Sequence, residues 1–224
     1  MMADPWTTAR AADLYGLPQW GDPFFRVSDS GETEVNLGPV DAPSWHSLPT
    51  LMTELRERGI LAPVMFRFGN ILQHHIQQLN ESFRNAIRDA GYPGTYRGVF
   101  PIKVNQQHQV IEQVCEFGAP WHHGLEAGSK PELIAALGTL RDPEALVVCN
   151  GYKDREFVDL ALYGSQMGLQ VILVVETPAE VPLILDRAAT LGITPRLGVR
   201  MKLSTPGSGK WYQSGGDHSV FGLS

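Results

Sequence analysis

The stretch Arg97-Gly98-Val99-Phe100-Pro101-Ile102-Lys103-Val104-Asn105-Gln106 places one lysine in an apolar, strand-like segment. An ammonium group in such surroundings must be solvated, paired or chemically used. Burial disfavours the charged form of a lysine, and a neutral amine can form a Schiff base with a carbonyl substrate or with pyridoxal phosphate. The alternative is a lysine at the end of a strand, whose stem packs on apolar neighbours while its ammonium reaches water. This stretch alone leaves both interpretations open.

The segment is the first of a regular series in which an apolar strand, a turn and an amphipathic helix alternate. Reference positions in successive strands fall at Lys103, Glu126, Cys149, Val174 and Val199, at intervals of 23, 23, 25 and 25 residues. Such spacing is typical of βα units with short loops, and it predicts a parallel sheet covered by helices. An open doubly wound sheet and a (β/α)8 barrel both fit. Because a closed barrel needs eight strands and five are predicted, we expect either a complete open sheet or an incomplete barrel.

Helix signals agree with this series. The segments Ser129-Lys130-Pro131-Glu132 and Thr177-Pro178-Ala179-Glu180 each fit a capping box and predict helix starts. Apolar residues recur at helical spacing between Asn70 and Gly91, which predicts a long helix there. Before it, the pattern predicts a brief helix over 51–58 and a strand over 63–68.

The composition excludes several classes of function. The chain is 43% hydrophobic and 19% charged, which is ordinary for a globular protein with a sizeable core. A formal charge of −6, with no run of basic residues, disfavours nucleic-acid binding. The longest apolar stretches, such as 171–175, are far shorter than the ~20 residues of a membrane span, and the first residues do not resemble a signal peptide. We therefore expect a cytoplasmic protein without a membrane partner.

Polar residues at the ends of the predicted strands are the remaining candidates for a site. Glu126 ends the second strand, where the catalytic groups of barrels gather, and it can pair with Lys103. The alternative for Glu126 is a solvated acid at a helix entrance. Arg200 ends the fifth strand and either lines the same pocket or forms a structural ion pair. In the polar cluster after the third strand, helix capping by Asn150 or Asp154 is the favoured interpretation.

Other patterns predict no chemistry. The adjacent pairs His74-His75 and His122-His123 point to different faces, so no metal site is predicted. The two cysteines, Cys115 and Cys149, lack metal or redox spacing and are expected to be buried reduced thiols. The segment Gly207-Ser208-Gly209-Lys210 departs from the P-loop pattern on both sides, which favours a flexible loop that can act as a lid.

The stretch Phe100–Gln106 resembles the cofactor-lysine strand of the bacterial biosynthetic arginine decarboxylases. Collinear matches over most of a chain are hard to obtain by chance, and here they extend from about Trp20 to the last residue. The further segments that resemble this family, in the same order, are Ile71–His74, Gly124–Lys130, Cys149–Glu156, Pro195–Arg200 and Gly207–Trp211.

The resemblance implies an α/β fold: a pyridoxal-phosphate-binding (β/α)8 TIM-like barrel of the alanine racemase type. The barrel is expected to be incomplete, with about five strands. Residues 1–20 carry little periodicity, which predicts an irregular lead-in. The resemblance assigns residues 21–69 to the N-terminal part of an accompanying β domain and residues 70–224 to the first part of the barrel. Proteins of this family are longer, and their phosphate-binding turn and substrate-binding groups would lie beyond Ser224. We therefore expect little decarboxylation from this chain alone.

The resemblance also implies chemistry. Lys103 would be the catalytic lysine that forms a Schiff base with pyridoxal phosphate, and Glu126 and Arg200 would be further cofactor-binding residues. The cofactor would accept electrons during conversion of L-arginine to agmatine and carbon dioxide in polyamine biosynthesis. Magnesium and a homo-oligomer are implied by the resemblance only.

Two alternatives remain. The chain could be a complete open-sheet binding protein without catalysis, although no Gly-x-Gly-x-x-Gly motif follows the Lys103 strand, where such a fold would need it. It could also be a pyridoxal phosphate enzyme acting on another amino acid, because only the resemblance favours arginine.

Overall fold

The computed structural model describes residues 5–202, 219 and 221–223, and the chain divides into two compact units, residues 1–74 and 75–224. The first unit contains a three-stranded antiparallel sheet with β2 in the centre, which agrees with the expected N-terminal β element. Two short helices lie within the lead-in, where the sequence showed little periodicity. The elements are α1 Thr8–Leu14, α2 Leu17–Trp20, β1 Phe25–Val27, β2 Thr33–Asn36, β3 Trp45–Ser47 and α3 Leu48–Glu57.

Two predictions for the first unit need correction. Helix α3 begins three residues earlier than predicted, because the Ser47 hydroxyl accepts the Thr50 N–H and Pro49 fits the first helical turn. The strand predicted over 63–68 is not formed. Its phenylalanines make ring contacts instead: Phe66 stacks on Phe68 at 5.9 Å between centroids. The alternating apolar pattern there reflects side-chain packing without a β ladder.

The second unit is a series of βα units. Helix α4 starts in the first unit and continues into the second, over the range predicted from helical periodicity. The elements are α4 Gly69–Asp89, β4 Val99–Pro101, a 3-10 turn Ile102–Val104, α5 His108–Gly118, a 3-10 turn Ala119–Trp121, β5 Gly124–Ala127, α6 Lys130–Thr139, β6 Leu146–Cys149, α7 Arg155–Gln166, β7 Gln170–Val175, α8 Glu180–Leu191 and β8 Arg196–Val199.

The five strands of the second unit are parallel and lie in the order β4-β5-β6-β7-β8. Every strand therefore pairs with its neighbour in sequence. An open doubly wound sheet reverses its strand order at a switch point, whereas the strands of a barrel follow one another without reversal. The topology thus favours the barrel of the two architectures that the repeat allowed, with five of its eight strands among the described residues.

The core lies between the sheet and its helices. Every residue of β5 is buried, and in β7 Val171, Leu173 and Val175 are buried in alternation. β5 packs against α6, and β7 packs against the apolar face of α7, which includes the fully buried Val158. One strand approach is too close for any side chain, because a Cβ atom added at Gly124 would collide with the Leu146 carbonyl oxygen of β6.

Lys103 lies in the 3-10 turn that follows β4 rather than inside the strand. Pro101 is the last residue of β4, which agrees with its having no N–H to donate to a ladder. In the turn, Ile102 is buried and anchors the backbone, while the Lys103 side chain is 64% exposed. Lys103 was placed inside the strand, and that placement was wrong, because strand pairing ends two residues before it. Of the two interpretations left open, the structure agrees with the lysine at the end of a strand whose ammonium reaches water.

Neither predicted capping box forms. At α6, Ser129 is the N-cap residue but its side chain makes no capping bond, and Glu132 accepts the N–H of Gly128 at 2.7 Å. Helix α8 begins at Glu180, two residues later than predicted, and Glu180 accepts the N–H of Glu176 at 2.7 Å. At both α6 and α8, a glutamate in the first helical turn therefore accepts the N–H of the residue that directly follows the preceding strand. This bond fixes the corner between the strand and the helix.

Candidate functional site

A cavity of about 860 Å³ lies at the carboxyl ends of the parallel strands. Each of the five strands contributes a residue or an adjoining loop to its wall, as expected where parallel strands end together. The polar lining side chains are Lys103, Glu126, Asn150, Tyr152 and Arg200. The structure therefore brings all three predicted site residues to one cavity, within the second unit.

Lys103 presents the amine of this site. Its Nζ atom lies 4.0 Å from Oε1 of Glu126. The two partners differ in burial, since the Lys103 side chain is 64% exposed and that of Glu126 is 5% exposed. The turn that carries Lys103 is closed by a bond from the Asn105 N–H to the Ile102 carbonyl at 3.1 Å. An accessible amine beside a buried carboxylate is an arrangement that can exchange a proton and react with a carbonyl compound.

Glu126 is a buried acid with one oxygen that has no hydrogen-bond partner in the described part of the chain. Its Oε1 atom accepts a hydrogen bond from the Asn150 amide at 3.1 Å. Its Oε2 atom has no hydrogen-bond partner among the described residues. Buried carboxylate oxygens are usually satisfied, so an unpartnered oxygen in a residue that lines the cavity points to a ligand or a moving proton.

Asn150 does not cap α7, so that part of the capping interpretation was wrong. Asp154 is the N-cap residue, and its side chain accepts the Phe157 N–H at 2.9 Å, which confirms the other part. Asn150 instead fixes Glu126 from the neighbouring strand, and its own N–H donates to the Ala127 carbonyl at 3.0 Å. Asn150, which was expected to cap a helix, therefore orients a carboxylate of the site.

Arg200 supplies a second cation to the cavity. It follows β8, and its backbone N–H donates to the Val175 carbonyl at 3.1 Å. Its guanidinium donates to Oε1 of Glu176 at 3.2 Å and lies 5.1 Å from the ring centroid of Phe221. The two interpretations of Arg200 are therefore compatible, since one side chain both forms an ion pair and lines the cavity.

The sequence analysis assigned no role in the site to three buried ionisable residues behind the cavity wall: Lys153, Glu176 and Glu180. The Lys153 ammonium donates to the carbonyl oxygens of Gly151, at 2.7 Å, and Val174. Burial lowers the pKa of Lys153, and the nearby carboxylates of Glu180 and Glu176 oppose that shift. Their positions in the sequence were the signal that could have identified them as site residues. Glu176 directly follows an apolar strand, and Lys153 lies four residues after another apolar strand.

The residues that line the cavity fit pyridoxal phosphate. Its aldehyde requires an accessible amine, which Lys103 provides, and its anionic groups require a cation, which Arg200 provides. A cavity of about 860 Å³ lies within the size range of cofactor sites. The segment Gly207–Trp211, interpreted above as a flexible loop, lies outside the described residues.

The remaining candidates in the sequence do not converge on a second centre. Among the described residues, no group of three or more His, Cys, Asp or Glu side chains is arranged to hold a metal ion. Both cysteines are free; Cys149 is buried and Cys115 is half-buried. Burial raises the pKa of the Cys115 thiol to about 11 and that of Cys149 to about 12. Within the same part of the chain, no helix has the length and apolarity needed to cross a membrane.

Comparison with known sequences gives one consistent result. Residues 74–224 match the family described as pyridoxal-dependent decarboxylase, pyridoxal binding domain. The biosynthetic arginine decarboxylase of Gloeobacter violaceus is 45% identical over 224 residues, which cover 98% of this chain and 34% of that protein. The biosynthetic arginine decarboxylase of Tolumonas auensis is 47% identical over 97% of this chain and 34% of its own length. The chain thus spans about a third of the length of these curated relatives.

Comparison with solved structures agrees. The biosynthetic arginine decarboxylase SpeA from Campylobacter jejuni superposes with a TM-score of 0.79 at 28% identity, covering 94% of this chain and 33% of that one. Diaminopimelate decarboxylase from M. jannaschi has a TM-score of 0.61 at 18% identity, covering 91% of this chain and 42% of that one, which shows a shared fold. These matches confirm the predicted fold class of the alanine racemase type. Together with the cavity at the strand ends, they show that the chain belongs to the pyridoxal-dependent decarboxylases and matches their pyridoxal-binding domain over residues 74–224.

Proposed function

We propose that this chain forms the lysine-bearing portion of a pyridoxal-phosphate-dependent arginine decarboxylase, which converts L-arginine to agmatine and carbon dioxide. The observation that carries the proposal is the accessible amine of Lys103 in the strand-end cavity, 4.0 Å from the buried Glu126 carboxylate. Arginine as the substrate is supported by relatives named biosynthetic arginine decarboxylase at 42–47% identity. The product would serve polyamine biosynthesis.

Pyridoxal phosphate, when bound, supplies an aldehyde that reacts with amines and a ring that accepts the electrons left when carbon dioxide departs. In this proposal Lys103 is the catalytic residue that holds the cofactor and yields to the substrate amine. Glu126 takes up or returns the Lys103 Nζ proton at Oε1, and Asn150 holds that carboxylate in place. Arg200 binds an anionic group of the cofactor or substrate from the opposite wall.

Other parts of the proposal rest on the resemblance and on the sequence pattern. We infer a lead-in over residues 1–20, a β-domain portion over 21–69 and a barrel portion over 70–224. Magnesium and assembly into a homo-oligomer remain predictions from the resemblance, and a cytoplasmic location remains a prediction from the sequence pattern. Because the relatives extend well beyond the matched third, we expect the 224-residue chain alone to release little carbon dioxide from arginine.

The test is reductive trapping. The chain is incubated with pyridoxal phosphate, reduced with borohydride, and the modified lysine is mapped by mass spectrometry. We expect one adduct on Lys103, which Lys103→Ala abolishes. Lys130→Ala is the matched control, because Lys130 is an ion-paired surface lysine outside the cavity. Undiminished labelling in the Lys103→Ala variant, or no adduct at all, would contradict the proposal.

The alternative functions have less support. The uninterrupted strand order argues against an open-sheet binding protein. A different amino acid substrate is consistent with the fold shared with diaminopimelate decarboxylase, but that match has 18% identity and speaks for fold alone.

A further inference from the structure

Glu176 is a fully buried carboxylate at the end of β7, and its contacts lead directly to the cavity. Its side chain is 0% exposed, whereas that of its partner Arg200 is 44% exposed. Oε1 of Glu176 accepts two hydrogen bonds, one from the Gly151 N–H at 2.8 Å and one from the Arg200 guanidinium at 3.2 Å. Glu176 thus joins the loop after β6 to the residue after β8.

In this ion pair the fixed partner, Glu176, restrains the flexible side chain of Arg200. An arginine side chain has many rotamers, and ordering it requires a fixed partner. Within the described part of the chain, the Arg200 guanidinium contacts the buried Glu176 oxygen and the Phe221 ring. Because Glu176 cannot move toward solvent, the ion pair fixes the guanidinium on the cavity wall.

Glu176 is itself held by a second buried pair. Its backbone N–H donates to Oε2 of Glu180 at 2.7 Å, and the Lys153 N–H donates to Oε1 of the same carboxylate at 2.9 Å. The Lys153 ammonium lies 3.7 Å from Glu180 and binds the carbonyl of Gly151, whose N–H binds Glu176. This closed set of bonds fixes the backbone on both sides of the Glu176 carboxylate.

We propose that Glu176 is a positioning residue, which holds the Arg200 guanidinium in the cavity wall so that it meets an anionic group of the bound ligand. The identity of that ligand as pyridoxal phosphate rests on the proposed function. The placement of Arg200 by Glu176 rests on the bonds described above. Two measurements keep these parts separate.

The first measurement needs no ligand. Phenylglyoxal reacts with arginine, and the extent of labelling at Arg200 is read by mass spectrometry in the wild-type chain and in Glu176→Gln. Loss of the carboxylate is expected to raise the labelling rate of Arg200 about fivefold, because a partly exposed pair of this kind contributes modestly. Asp159→Asn is the matched control, since Asp159 pairs with Arg187 at 2.7 Å and neither residue lines the cavity. An unchanged Arg200 rate in Glu176→Gln would overturn the proposal.

The second measurement is a double-mutant cycle on affinity for pyridoxal phosphate, followed by absorbance. Glu176→Gln and Arg200→Lys are each expected to weaken binding about tenfold, and the double variant by no more than either alone, because the two residues act as one unit. Arg200→Lys keeps the positive charge opposite Glu176, so it provides a second, conservative variant. Additive losses, with the double variant about a hundredfold weaker, would overturn the proposal.

Pyridoxal, which lacks the phosphate, identifies the anion. If Arg200 meets the phosphate, Glu176→Gln weakens binding of pyridoxal phosphate and leaves pyridoxal unaffected. If Arg200 instead meets the oxygen on the ring that both ligands share, Glu176→Gln weakens binding of pyridoxal phosphate and of pyridoxal equally. Either result supports the positioning role. If the wild-type chain binds neither ligand and traps no adduct, the proposed function fails, and the phenylglyoxal rate still decides whether Glu176 positions Arg200.

Discussion

Replacing Lys153 with methionine tests how far one buried ammonium holds the cavity wall together. The Lys153 side chain is 0% exposed, and its charge is shared between the carbonyl oxygens of Gly151 and Val174 and the carboxylate of Glu180. Methionine has nearly the same length and preserves the packing of the stem. The substitution therefore removes the charge and its hydrogen bonds with little change in volume.

The expected cost follows from these contacts. Breaking a buried ion pair by removing one partner costs about 3–5 kcal/mol. The lower end applies here, because Glu180 keeps two backbone N–H donors, at 2.7 and 2.9 Å. The native charge also carries a burial penalty, as the lowered pKa of Lys153 shows. We therefore expect a loss of about 3 kcal/mol, which corresponds to a little more than a hundredfold easier opening.

Hydrogen exchange resolved by mass spectrometry measures this loss locally. Peptides covering α7 and β7 are expected to lose about a hundredfold in protection in Lys153→Met. Lys130→Met is the control, since Lys130 binds two carboxylates at 2.7 Å on the surface, where ion pairs add little to stability. A change below about fivefold in Lys153→Met, or an equal change in both variants, would refute the reasoning.

Two further predictions concern packing and pH. Alanine at Gly124 would press a methyl group against the Leu146 carbonyl oxygen and is expected to cost about 3 kcal/mol in thermal or urea unfolding. Gly138→Ala is the control, with nothing within 4 Å, and should stabilise α6 by about 0.5–1 kcal/mol; equal midpoints for the two variants would argue against the clash. Burial holds the pKa of His123 below its ordinary value of 6.5, so the imidazole is protonated more readily in the unfolded chain than in the folded one. The free energy of unfolding is therefore expected to fall as the pH drops below about 6.5 toward the lower native pKa. Urea midpoints between pH 8 and 5 should show that decline in the wild-type chain and less of it in His123→Gln, and parallel declines would exclude His123 as the source.

The repeated βα architecture was predictable because each unit carries its own signal. Apolar strands recur at nearly constant intervals, and the periodicity of α4 fixes a long helix without tertiary information. Pro101, which cannot donate to a ladder, carried a signal for the end of β4 that the sequence analysis did not use to place that boundary. Placing Lys103 inside the strand gave too much weight to the apolar residues around it.

Contacts between units were less predictable. The pattern at Ser129 and Glu132 suggested a capping box, but the N–H of Gly128 competes for the same carboxylate and binds it. Sequence alone does not say which of several neighbouring N–H groups a glutamate will accept. The bonds from Glu176 to Gly151 and Arg200 depend on the register of three strands, and no local pattern encodes that register.

The uninterrupted order of the strands also bears on how the protein is made. Val99 pairs with Gly124 and Leu173 with Leu197, so paired residues stand 25 and 24 positions apart. A ribosome adds that many residues in roughly one to five seconds, whereas helices form within microseconds. The unit that carries Lys103 is the first of the series to emerge, and each strand after β4 leaves the ribosome when the strand before it, its partner, is already available. Nascent chains of increasing length should therefore gain protease resistance one βα unit at a time.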